Sequence, residues 1–267
     1  MDLISQLQEA LQSQELPLPS TAWLGNLVAS RSPPPPLASL VATARARLLA
    51  ADLTSPNLLD ANYVATHSLP AATSSTTSPL SPDVREDRLL HDVVVQVLDI
   101  ENLSRSRWDQ VEELEAIERG EMTRGRHVVR LPTGAAAADG TEDVDGGATA
   151  GALPSVASDR RQAGNGFAPT SSGSRGVNAT HKLLLQDPRG RRVFGLELSR
   201  VDRIGIGATN IGEKILLRSG TIVARGVIML QPATCVFLGG KVEPWHKSWV
   251  DGRLGRLREA AQSGRRD

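Results

Sequence analysis

Cysteine is almost missing from this 267-residue sequence: Cys235 stands alone. No disulfide can close within the chain, and one thiol cannot build a zinc site. A reducing, intracellular compartment is expected. Aromatic residues make up only 3% of the chain, too few for a surface that stacks successive bases on rings. Net charge is missing as well. The 30 basic residues balance 30 acidic ones, which argues against a protein that coats a phosphate backbone. No apolar run approaches the ~18 residues of a membrane span, so no membrane contact is expected. The opening MDLISQLQEALQ lacks the basic and apolar regions of a signal peptide.

Catalytic patterns are equally scarce. His67, His91, His127, His181 and His246 do not fall at metal-ligand spacing. No nucleophile elbow occurs. The glycine-rich run Gly205 to Lys214 resembles a phosphate loop only loosely. Glu213 separates the last glycine from the lysine, and the run leads into a strand rather than a helix. It reads as a connector. Glu112, Glu113 and Glu115 fall on a solvated helix face. The sequence predicts no enzyme, no metal and no cofactor.

What is present has clear order. Residues 1–62 read as three short helices punctuated by proline. Ser20 or Thr21 caps TAWLGNLVAS, and the SRSPPPP run ends it. Leu37, Leu40, Val41, Ala44, Leu48 and Ala51 form one apolar stripe on the next helix. Helices this short must pack together or on a neighbour. Residues 63–88 read as a linker, polar and proline-containing over 66–83.

A β-rich part follows, residues 89–243. DVVVQVLDIENL is a strand, and SRSRWDQVEELEAIERGE is a helix capped by Ser104 or Ser106, with Val111, Leu114 and Ile117 on one face. GRHVVRLP is a further β-like run. Residues 133–177 are dominated by Gly, Ala, Ser, Thr and Asp, with Phe167 their one aromatic residue. A stretch of roughly 45 such residues between β segments predicts an inserted flexible loop. HKLLLQD and RRVFGLEL then flank Asp187-Pro188-Arg189-Gly190, a type I turn closing a hairpin. KILLRSGTIV, RGVIML and TCVFLGG add three more runs. Residues 244–267 close the chain as one helix and a tail, with Pro244 in its first turn. Seven β runs, some of them halves of bent strands, leave about five strands. The fold class is mainly β with α: a five-stranded OB-fold barrel preceded by a small helical bundle.

Charge is unevenly spread. Acids dominate from Asp83 to Glu121, and basic clusters recur after Arg124. On the hairpin, Lys182, Arg189, Arg191 and Arg192 are candidate DNA contacts. Phe194, the one aromatic there, suits a core position or a stacking platform equally. Trp23, Trp108, Trp245 and Trp249 read as core, the last two docking the closing helix on the barrel.

Several segments together carry a resemblance: SRWDQVEELEAIERGEMTRGRHVVRL, HKLLLQDPRGRRVFGLEL and GEKILLRSGTIVARGVIMLQPATCVFLGGKVE. The last holds Gly212 to Leu217, then Arg225 to Leu230, Pro232, and Leu238 to Val242. These resemble the RecQ-mediated genome instability protein 1 family over about 90–132 and 178–262. Trp23 and RARLLAADL extend the likeness more loosely. The resemblance implies a non-catalytic subunit, in the nucleus, of a complex between a RecQ-type helicase and topoisomerase III. That complex dissolves double Holliday junctions without crossover. In such proteins the barrel binds the topoisomerase and a loop inserted in the barrel modulates strand opening. On this reading Arg225, Gly226, Lys241 and Glu243 lie near the partner surface, although Gly226 could equally serve a tight turn. The short, single-barrel form is expected, without the further small OB subunit that longer members recruit. The alternative from the residues alone is an autonomous single-stranded DNA-binding OB module.

Overall fold

In a computed structural model, residues 2–30, 32–70, 78–120 and 179–263 are described. The chain divides into two units. One comprises residues 1–115 with 176–267 and carries both the helices and the sheet. Of the other, residues 116–175, only the end of one helix is described. The inserted loop expected at 133–177 and the β-like run at 125–132 lie outside the described residues.

Helices α1 (Leu3–Gln12), α2 (Thr21–Ala29), α3 (Leu37–Ala50) and α4 (Ala61–Thr66) come first. Local chemistry sets their ends. Ser20 Oγ accepts from Trp23 N at 3.1 Å, and Asp60 accepts from Asn62 N at 2.9 Å and Tyr63 N at 3.1 Å. These bonds satisfy amides that a helix start leaves unpaired. The predicted stripe on α3 is inward: Leu40, Ala44 and Leu48 are buried beside Leu7 and Leu11 of α1 and Leu24 and Leu27 of α2. Leu48→Ala should cost about 2–5 kcal/mol, because the site is fully enclosed. Urea unfolding of the variant measures it.

The sheet contains β1 (Asp87–Arg88), β2 (Val93–Asn102), β3 (His181–Gln186), β4 (Arg192–Glu197), β5 (Lys214–Leu217), β6 (Ile222–Ala224), β7 (Val227–Leu230) and β8 (Cys235–Gly239). Their order is β1-β6-β7-β4-β3-β2-β5-β8. Every pair is antiparallel except β4 with β7. β2 is long and shared. Its first half pairs with β5 and its second half with β3, with a bulge between Val97 and Asp99. Bulges bend strands and suit barrel corners.

Chain length forces the sheet to curl. β6 and β5 stand five positions apart, about 24 Å in a flat sheet. The link from Leu217 to Ile222 reaches at most about 17 Å. The two ends of the sheet must therefore approach one another. β5 and β6 are thus the two halves of one bent strand, kinked at Arg218–Thr221. Five barrel strands result, as predicted, with β1 and β8 added at the edges.

Strand β2 also explains its own apolar run. Val93, Val95 and Val97 point into the barrel core, while Val94 joins the helical core. On β5, Ile215 and Leu217 face the barrel and Leu216 faces the helices. Partly buried Val236 and Leu238 of β8 pack there too. The helical layer therefore covers the outer face of β2, β5 and β8. The run does not alternate in polarity because both faces are covered.

Two sequence expectations need correction. The closing segment is two helices, α6 (Glu243–Asp251) and α7 (Arg253–Ser263), separated by Gly252. A Cβ on Gly252 would sit 2.7 Å from the Arg256 guanidinium and 3.1 Å from Ser248 O. Trp108, read as core, is exposed in the first turn of helix α5 (Arg107–Glu118), although Val111, three residues on, is buried. Trp245 and Trp249 do pack on the barrel core, and Trp249 Nε1 donates to Asp99. Ser106 caps α5, accepting from Asp109 N at 3.0 Å. Ser104 instead accepts from Thr180 N at 2.8 Å.

Candidate docking face

The barrel has a second outer face, formed by β3, β4 and β7. Leu183, Leu185, Val193, Ile228 and Leu230 point into the core. Alternation then sends Lys182, Leu184, Arg192, Phe194, Leu196 and Met229 outward. Register places Leu184 beside Phe194, Lys182 beside Leu196, and Leu196 beside Met229. Phe194 is 48% exposed and Leu198, which continues the row, 55%. Gly195 is needed on the inner side, since a Cβ there would meet Leu185 and Leu230 at 3.0 Å.

The four candidate DNA contacts part company here. Lys182 pairs with Glu101 at 2.9 Å, and its ammonium lies 5.0 Å from the Phe194 ring centre. Arg191 turns back and donates to Leu69 O. Arg189 and Arg192 are exposed at the hairpin tip. Neither forms an ion pair among the described residues.

The predicted turn anchors that tip. Gly190 has φ +81° and donates from its amide to Asp187 O at 3.0 Å. The buried Asp187 carboxylate accepts from Arg191 N at 2.7 Å and Leu69 N at 3.0 Å. Burial pushes its pKa up, against the pull of those hydrogen bonds. Beside the tip, a groove of about 500 Å³ is lined by Pro70, Leu80, Arg191, Arg192, Phe194 and Gly226, among others.

The candidate partner residues fall at two separate joints. Arg225 (φ +48°) and Gly226 (φ +77°) form the tight turn between β6 and β7. The turn is covered: Arg225 N donates to Val84 O at 3.1 Å, and a Cβ on Gly226 would meet Leu80 O at 2.8 Å. Lys241 and Glu243 pair with each other at 2.6 Å where α6 begins. The lysine's hydrogen bond holds the Glu243 carboxyl below its usual range. No hydrogen bond or ion pair links the two joints among the described residues.

Comparison with known families now bears on this architecture. The description "RMI1, N-terminal OB-fold domain" matches residues 68–253, and "RMI1, N-terminal helical domain" matches residues 11–56. The chain belongs to the RMI1 family. Its similarity to RecQ-mediated genome instability protein 1 of Schizosaccharomyces pombe is 27% identity over 202 residues, covering 75% of this chain and 78% of that one. The resemblance found on the strand motifs is therefore supported across both parts of the RMI1 unit.

Two features of this RMI1-family chain escaped the sequence. One is a polar joint between the helices and the barrel. Lys214 is fully buried, and its ammonium donates to Leu49 O at 2.8 Å and Gly212 O at 2.6 Å. Burial holds its pKa down to about 8, with the Asp52 charge opposing. Gln96, also buried, accepts from Leu53 N at 3.0 Å and donates to Asp52 at 2.7 Å and to Gln186 at 3.1 Å. The other is a buried charge cluster at the start of β3. Glu197 accepts from His181 N and Nδ1, each at 2.7 Å, from Val201 N at 3.1 Å and from Arg200 at 3.3 Å. Arg200 also holds Ala179 O at 3.2 Å. The only sequence signal was polarity inside a β run. Among the described residues no group of three His, Cys, Asp or Glu side chains is placed to hold a metal.

Proposed function

We propose that this chain is a non-catalytic scaffold and regulatory subunit of a nuclear complex between a RecQ-type helicase and topoisomerase III. Its coarser role is in genome stability. In the complex it would promote dissolution of double Holliday junctions, and so act in DNA recombination, repair and replication. The observation that carries this reading is the joint match of both RMI1 parts, helical over 11–56 and OB-fold over 68–253. We assign the helical part to 1–62, the linker to 63–88, the barrel to 89–243 and the closing helices and tail to 244–267. Arg225, Gly226, Lys241 and Glu243 are proposed at or near the topoisomerase, and residues 133–177 are proposed to modulate it. A rigid barrel carrying function on a loop is a common division of labour.

The purified chain should have no strand-passage activity alone and should co-purify with topoisomerase III at micromolar concentration. Failure to associate would count decisively against the role. Deleting residues 136–175 should leave the thermal transition of the barrel in place yet alter decatenation by the complex. Loss of folding in that variant would defeat the loop assignment.

One observation favours the rival reading, an autonomous single-stranded DNA-binding module. Phe194 is exposed with Lys182 over its ring. A lone platform gives weak DNA contact at most, since such sites stack several bases. Tight oligonucleotide binding with a steep salt slope would reverse that judgement.

A further inference from the structure

We propose that the bare outer face of β3, β4 and β7 is where the chain grips its protein partner, and that the partner offers an apolar ridge flanked by carboxylates. This rests on the scaffold role proposed above.

Coverage is the first argument. The helical layer seals the opposite face with a full apolar core, whereas this face keeps Leu184, Phe194, Leu196, Leu198 and Met229 at least partly open to solvent. Phe194 and Leu198 are two of the five large apolar residues left exposed among the described residues. A protein with so few aromatic residues leaves one of them here. Exposed apolar rows rimmed by polar groups mark protein contacts.

Charge decides the kind of partner. Arg189 and Arg192 stand at one end of the row, exposed and without an ion pair among the described residues. At the other end Lys182 is neutralised by Glu101 and Arg200 by Glu197. A nucleic acid strand laid along the row would find cations at one end and aliphatic surface along most of its length. It would also pass Glu101. Phosphates need a continuous basic track, which this face lacks. A protein segment with carboxylates placed opposite the hairpin tip satisfies both the apolar row and the two free guanidiniums. Arginine suits such pairing because its fork matches a carboxylate.

The test uses the full chain and topoisomerase III as the probe, with affinity measured by calorimetry at two salt concentrations. Phe194→Asp with Leu198→Asp should weaken binding at least 30-fold. Arg189→Glu with Arg192→Glu should weaken it about tenfold and flatten its salt dependence. Arg45→Ala with Arg47→Ala, exposed on α3 in the helical layer, should change it less than twofold. Unchanged thermal transitions must accompany each variant. Wild-type binding that survives both face variants overturns this proposal and leaves the scaffold role standing. No binding by the wild type removes the scaffold role, and this proposal with it. Loss of oligo-dT binding in the face variants with topoisomerase affinity intact overturns the proposal in favour of a nucleic-acid face.

Discussion

Replacing Gly240 by alanine should destabilise the chain by about 3–5 kcal/mol, while the same change at Gly239 should cost only about 1 kcal/mol. The two neighbours share a backbone conformation, with φ +92° and +87°. Both substitutions therefore carry the strain of a left-handed L-residue. Their surroundings differ. A Cβ on Gly239 meets nothing within 4 Å, whereas one on Gly240 would lie 2.3 Å from Leu49 O and 2.8 Å from Leu49 Cβ. Leu49 belongs to α3, so the collision drives the helical layer away from the barrel. The same carbonyl accepts the Lys214 ammonium at 2.8 Å, so that hydrogen bond would be disturbed as well. Chemical denaturation of the two variants side by side isolates the collision from the strain. Equal losses would mean that the close approach at Leu49 has no energetic weight.

Lys214→Ala should cost about 3–4 kcal/mol at pH 7, from a vacated core site and two buried carbonyls left unpaired. Its pH dependence is the sharper measurement. The folded pKa is about 8, below the ordinary lysine value of about 10.4. Between those two values the unfolded chain holds more protons than the folded one. Stability therefore rises with pH across that window, by up to about 3 kcal/mol. The geometry accounts for it. A neutral amine has two N–H groups, and two carbonyls wait for them. The third proton of the ammonium adds a desolvated charge that the Asp52 carboxylate offsets only in part. The alanine variant lacks this gain, so the stability gap between wild type and variant should widen from pH 7.5 to pH 10. A gap that is flat or narrows over that range would show that the ammonium is not desolvated as the structure places it.

How much of this was readable in advance follows from which interactions are local. The hairpin at Asp187–Gly190 was, because proline and glycine at fixed turn positions encode it within four residues. The α3 stripe was, because helical periodicity is local too. The OB-fold was legible from strand runs and punctuation, and the family from the strand motifs. The split at Gly252 was not, because a glycine within a helical pattern is compatible with either a continuous or a broken helix. Trp108 misled because its type says core, while it stands exposed in the first turn of α5. Lys214 hid inside a motif, since its partner Leu49 lies 165 residues away. The bare face hid for another reason. Polarity along β4 does not follow the pleat, for Glu197 points inward to His181 while Phe194 and Leu198 point out.

Sharing β2 between two cores has one more consequence. Cutting the chain at the boundary between its two matched regions would not yield a freestanding barrel. Val94 and Leu216, now fully or almost fully screened, would become a fresh greasy patch. Gln96 would lose Leu53 and Asp52, and Lys214 would lose one of its two acceptors. The resulting fragment should be sticky and prone to precipitate. The N-terminal helices are thus part of what makes the barrel soluble, however separable the two halves look as text.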